Sequence, residues 1–152
     1  MDWIDPGTEE RIWQRVHGTP DASEEELVQL IREEWQDASD CARLAKIQPA
    51  PWSSALGQMA REAKTHAGCL TGIYRLTTGH RPQLPPPPQP KQRPEVALRY
   101  CFTRKLRRAA QYERRTADPE YGFLFRQLAR REREHCCTLL EIMGNFPEKG
   151  EL

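Results

Sequence analysis

Residues 128–140, LARREREHCCTLL, decide the fold. On a helix, side chains three apart stand one above the other on a single face, so Glu132 and His135 offer a carboxylate and an imidazole side by side. Tyr121, Phe125, Leu128, Leu139 and Ile142 recur in alternating steps of three and four, and Glu132 and His135 lie on the same seam. The pair therefore points inward. Polar groups placed there need partners, because burial strips their hydration without replacing it.

The same periodicity runs through most of the chain. The segment Ser23-Glu24-Glu25-Glu26 has the form of a capping box, and the seam Leu27, Ile31, Ala38, Cys41, Ala45 follows it, with Glu34 in its gap. Gln48-Pro49-Ala50-Pro51 interrupts the pattern. Ser53 or Ser54 then caps a second long helix that stops at Gly79, with seam residues Leu56, Met59, Ala63, His66, Leu70 and Ile73. A third runs from about Glu95 to Ala117 through Leu98, Cys101 or Phe102, Lys105, Ala109, Tyr112 and Thr116. Asp118-Pro119-Glu120 opens the fourth, which ends near Gly144. No stretch alternates with period two, so an all-α chain is expected. Residues 1–22 form a lead-in with a short helix over Thr8–Val16, residues 23–144 a four-helix bundle, and residues 145–152 a tail.

The order of the helices in space follows from residues 81–94, RPQLPPPPQPKQRP, where proline removes backbone donors and forbids a helix. As a polyproline segment rising about 3.1 Å per residue it reaches roughly 40 Å, longer than a 20-residue helix at about 30 Å. The helices on either side of it can thus run parallel, whereas the short connectors elsewhere impose antiparallel neighbours. A docking motif for a proline-binding module is the lesser reading of this run.

Bulk properties exclude several functions. Lys and Arg number 23 and Asp and Glu 22, a formal net charge of +1, which gives no general attraction for nucleic acid or membrane. The basic run Arg104, Lys105, Arg107, Arg108, Arg114, Arg115 reads as a solvated helix face except at Lys105. No apolar run reaches spanning length and the first residues lack a signal-peptide pattern, so a cytoplasmic protein is expected. Five cysteines without a CxxC pair fit reduced thiols, mostly small core residues.

The two halves repeat one plan. Glu34 corresponds to Lys105, Cys41 to Tyr112, Ala63 to Glu132 and His66 to His135, with 32 residues from Glu34 to His66 and 30 from Lys105 to His135. A four-helix bundle with one long crossover, a Glu from two helices and Glu-x-x-His from the other two is the plan of ferritin-like di-iron carboxylate proteins. IREEWQDASDCARLAK, MAREAKTHAGCL and LARREREHCCTLL resemble the rubrerythrin branch of that superfamily over roughly residues 24–144.

The resemblance implies a metal site built from Glu34, His66, Glu132 and His135, with Tyr112 hydrogen-bonding a ligand. Two expected carboxylates are replaced, by Ala63 and Lys105. With Glu34, Glu132 and a protonated Lys105 the centre carries about one negative charge where a di-iron site needs about four, so an ordinary di-iron centre is not expected. Lys105 is expected to pair with Glu132, Glu34 or both. A single Fe, Mn or Zn ion remains compatible with the four ligands, and Glu62, four residues before His66, is a further candidate on the flank. Cys69 and Cys136 beside the histidines are weaker candidates for a soft metal.

The sequence thus suggests a structural or interaction protein, or a binder of no metal or one. Its alternative is an iron-dependent, peroxide- or oxygen-handling oxidoreductase with a non-standard site. No nucleic-acid or membrane partner is expected, and a homodimer is compatible with the resemblance.

Overall fold

The computed structural model describes residues 22–146, which form four helices and, among these residues, no strand. We label them α1 (Ala22–Ile47), α2 (Trp52–Thr78), α3 (Pro94–Arg114) and α4 (Gly122–Gly144). The short helix expected over Thr8–Val16, and residues 147–152 of the expected tail, lie outside the described residues. No helix among those described is long and apolar enough to cross a membrane.

The seams explain the packing. Every seam position named for α2 is buried, and so are Phe125, Leu128, Glu132, His135, Leu139 and Ile142 of α4. In α1 the last inward position is Leu44, with Ala45 only half-buried, and Leu30 joins the core beside Ile31. Thr116, expected at the end of the α3 seam, lies beyond the helix and is half-buried.

Helix ends differ in detail from the expected caps. α1 begins at Ala22, so Ser23 lies inside the first turn. Ser53 does not cap α2, because its hydroxyl donates to the Ala45 carbonyl at 2.6 Å and so ties α2 back to α1. Gly79 ends α2 as expected, with a left-handed φ of 82° that a side chain would strain. Pro94, not Glu95, is the first residue of α3, where its missing N–H costs nothing. Asp118 accepts from the N–H groups of Glu120 and Tyr121 at 2.8 Å each, forming a capped turn ahead of α4.

Residue pairs give the helix directions. Ala45 with Ser53 and Glu34 with His66 make α1 and α2 antiparallel. Glu26 with Arg115, Asp37 with Arg104 and Cys41 with Cys101 make α1 and α3 antiparallel as well. α2 and α3 therefore point the same way, joined by the extended crossover through residues 81–93. The Gln36 side chain donates to the Pro88 carbonyl at 2.9 Å and holds this strap against α1.

The core is split in two. One apolar cluster gathers Leu30, Ile31, Leu70, Ile73, Tyr112 and Phe125 at one end. A second gathers Cys41, Leu56, Met59, Leu98, Cys101 and Leu139 at the other. Between them lies a layer of buried charge: Glu34, Asp37, His66, Lys105, Arg108, Glu132 and His135.

Candidate metal centre

Each helix supplies this layer from its inward seam, or from the position three residues further along. α1 contributes Glu34 and, three on, Asp37. α3 contributes Lys105 and, three on, Arg108. α2 contributes His66, and α4 contributes Glu132 and His135. A spacing of three puts both members of each pair on the inward face. Glu34, Asp37, Lys105, Arg108 and Glu132 are completely buried.

Two sub-sites form around Glu132. On one side, Glu34, His66 and Glu132 each present a ligand atom, all within 4.8 Å of one another. The His66 Nδ1 atom lies 3.3 Å from Glu34 Oε2 and 3.4 Å from Glu132 Oε1, near both but aligned with neither for a hydrogen bond. Glu34 Oε1, Glu132 Oε1 and His66 Nδ1 are buried without a hydrogen-bond partner, and the rarity of such atoms in folded proteins makes three together significant. This Glu-His-Glu group could hold a single metal ion.

On the other side the Lys105 ammonium occupies the space. Its Nζ lies 3.0 Å from His135 Nδ1, 3.5 Å from Glu132 Oε2 and 3.4 Å from Asp37 Oδ2. Lys105 thus pairs with Glu132, while Asp37 takes the place expected for Glu34. Burial alone would lower the Lys105 pKa, but the Glu132 and Asp37 charges reverse that and keep it protonated. Ala63, buried on α2, offers no ligand.

Arg108 completes the neutralisation. Its Nη2 reaches Glu132 Oε2 at 2.8 Å, Glu34 Oε1 at 3.4 Å and Asp37 in a direct ion pair. Its other two guanidinium nitrogens, Nε and Nη1, lack hydrogen-bond partners. Burial would raise the Glu132 pKa, but Arg108 and then Lys105 hold it well below the usual carboxylate range. Asp37 is held low by the same charges together with Arg104, against its own burial. The Tyr112 hydroxyl donates to Glu34 Oε2 at 2.7 Å and orients that carboxylate.

The two imidazoles stack at 6.2 Å between centroids and differ in charge. His66 would be neutral from burial alone, but Glu132 and Glu34 push its pKa up to about 9. His135 is pushed down to about 4 by burial and by Lys105. Neutral His135 therefore accepts from Lys105 at Nδ1 and donates from Nε2 to Glu62. That contact and an ion pair to Arg131 turn Glu62 to the flank. Cys69 is exposed, and the Cys136 thiol faces the Phe102 carbonyl at 4.0 Å.

The basic face of α3 departs from expectation. Arg104 bridges Asp37 at 2.9 Å and Asp40 at 2.7 Å, Arg107 pairs with Glu33, Arg108 is wholly buried, and Arg115 reaches Glu26 at 2.9 Å. These bases face the acids of α1 across a helix–helix seam, so all but Arg114 of the run have carboxylate partners there instead of a wholly solvated face. Asp37, Arg104 and Arg108 are the residues that seam reading alone misses. The signal that finds them is the match of acids at 26, 33, 37 and 40 with bases at 115, 107, 108 and 104.

A pair of metal ions does not fit these residues. Lys105 Nζ contacts the His135 nitrogen and the Glu132 oxygen that a second ion would need, and Arg108 holds that same oxygen. Glu34, Asp37 and Glu132 are already matched by Lys105, Arg108 and protonated His66. No protein-family model, no curated protein and no solved structure matches this chain.

Proposed function

We propose that this chain is a ferritin-like protein of the rubrerythrin type that has exchanged its di-iron centre for a mixed one, with one divalent metal ion at Glu34, His66 and Glu132 and the Lys105 ammonium in the second cation position. The observation that carries this reading is the convergence of Glu34, His66 and Glu132, each with a buried polar atom that lacks a hydrogen bond, beside an ammonium that touches Glu132 and the remaining expected ligand, His135. The helix directions and the long crossover support the ferritin-like assignment. A bound ion would supply Lewis acidity at that point. The protein's own groups do the positioning: Tyr112 orients Glu34, while Arg108 and Lys105 hold Glu132 through its other oxygen.

Binding requires His66 to release its proton, so metal and proton compete for Nδ1. Calorimetric titration of chelator-treated protein with Mn(II), Zn(II) and, under argon, Fe(II) tests the proposal. One ion per chain is expected, and Glu34→Gln, which preserves shape, should abolish it while leaving the helical circular dichroism unchanged. Two irons per chain with the near-ultraviolet absorbance of an oxo-bridged pair would refute it. Failure to bind any of the three ions would refute it too, and would leave the layer as a metal-free ion cluster.

A further inference from the structure

Independently of any metal, the next rung of the α1–α3 seam carries two thiols. Cys41 lies four residues after Asp37 and Cys101 four residues before Lys105, so the pair sits one helical turn below the charged layer. The sulfur atoms are 3.8 Å apart, both side chains are fully buried, and Leu56, Leu98 and Leu139 belong to the same apolar cluster. Cys41 belongs to the hairpin before the crossover and Cys101 to the hairpin after it. Among the described residues, the extended strap is the only other covalent path between the hairpins.

The geometry points to Cys41 and Cys101 as an oxidisable dithiol that closes to a disulfide on exposure to a hydroperoxide, stapling the two helical hairpins together. The chemistry balances in two steps. One thiol attacks the peroxide, the O–O bond breaks, and Cys–SH plus ROOH gives Cys–SOH plus ROH. The second thiol then displaces hydroxide from that sulfur, forming the S–S bond and releasing water. The sulfur pair gives up two electrons in all, and the peroxide accepts them.

Closure shortens the sulfur separation from 3.8 Å to about 2.05 Å, a change within reach of side-chain rotation and a small helix shift. Burial decides which oxidants act. A small peroxide can enter during transient opening, whereas a bulky disulfide such as oxidised glutathione has no room beside the folded pair. Contact with Cys41, followed by burial, holds the Cys101 thiol well above its usual range, so the first step is slow. Once a sulfenic acid forms, its resolving partner already touches it, which favours the disulfide over further oxidation.

The test uses the full chain with exposed Cys69 and Cys137 changed to Ser, so that no intermolecular bond confuses the reading. After hydrogen peroxide treatment and alkylation in denaturant, the expected product is lighter by two hydrogen atoms, and peptide mapping joins Cys41 to Cys101. Closing a loop of about 60 residues should raise Tm by about 10 °C, an effect that reductant reverses and that Cys41→Ala lacks. Unfolding and refolding the same protein in an oxidised dithiothreitol buffer removes the barrier of access. If both thiols still alkylate after that refolding, or if the bond formed involves Cys136 instead, the proposal is overturned.

Discussion

Replacing Lys105 with Met tests the balance at the centre from two directions at once. The substitution keeps an unbranched side chain one atom shorter and removes a fully buried ammonium that lies 3.4 Å from Asp37 and 3.5 Å from Glu132. Removing one partner of a buried ion pair costs about 3–5 kcal/mol, because the other charge is left without compensation. Here each acid keeps other cations: Arg104 and Arg108 for Asp37, Arg108 and His66 for Glu132. The loss should therefore fall at the lower end, about 3 kcal/mol, which is a large share of the ~5–15 kcal/mol of a typical domain. With a urea m-value of about 2 kcal/mol/M, the unfolding midpoint of the metal-free protein should fall by about 1.5 M.

The second direction has the opposite sign. Three carboxylates then face Arg108, His66 and, at Asp37 alone, Arg104, one cation fewer than before, so the centre gains attraction for a divalent ion. Lys105→Met should bind Mn(II) or Zn(II) more tightly than the parent, and metal at ~100 times its Kd should restore about 2.7 kcal/mol. Urea unfolding with and without metal measures both effects. A variant as stable as the parent when metal-free would show that Lys105 is not an internal counter-charge. A destabilised variant with no gain in metal affinity would show that the ammonium and the metal do not compete.

Two further perturbations follow from the structure. The metal-free protein should be most stable near pH 6.5. The His66 pKa rises from 6.5 to about 9 on folding, so its contribution is complete below 6.5 and lost as pH climbs through 9. That of His135 falls from 6.5 to about 4, so stability is lost as pH drops through that window. Each arm amounts to about 3 kcal/mol, and urea unfolding across pH 4–9 should trace both, the alkaline arm vanishing in His66→Ala. Gly122→Ala should cost about 1–3 kcal/mol, since a Cβ there would stand 2.3 Å from the Thr116 backbone oxygen and force the turn between α3 and α4 to move. A thermal midpoint within 1 °C of the parent would refute that reading.

Much of the fold is legible because helical burial leaves a periodic trace. The seams of α2 and α4 can be read directly, and the polar residues interrupting these seams and that of α3, namely His66, Lys105, Glu132 and His135, are the ones that the structure gathers with Glu34. What seam reading loses is the second residue of each charged pair. Asp37 and Arg108 flank the seam, where charged side chains usually reach water, and only their opposition across α1 and α3 draws them inside. Long-range pairing of this kind leaves no local period. Caps are similarly ambiguous: Ser53 has the right chemistry for an N-cap, yet its hydroxyl bonds to another helix. Glu62 is placed on the flank by register alone, but nothing local indicates that it receives the His135 proton donor.

The segregation of charge between α1 and α3 has a consequence for assembly. At this seam α1 presents Glu26, Glu33, Asp37 and Asp40, and α3 with the residue that caps its C-terminus presents Arg104, Arg107, Arg108 and Arg115. Two copies of the α1–α2 hairpin brought face to face through this surface would set acid against acid, and two α3–α4 hairpins base against base, so both mispairings are repelled before any side chain packs. Apolar seams alone cannot make that distinction, because Leu meets Leu equally well in either pairing. The ladder thus tells the nascent chain which half is which, and the crossover keeps the correct half within reach.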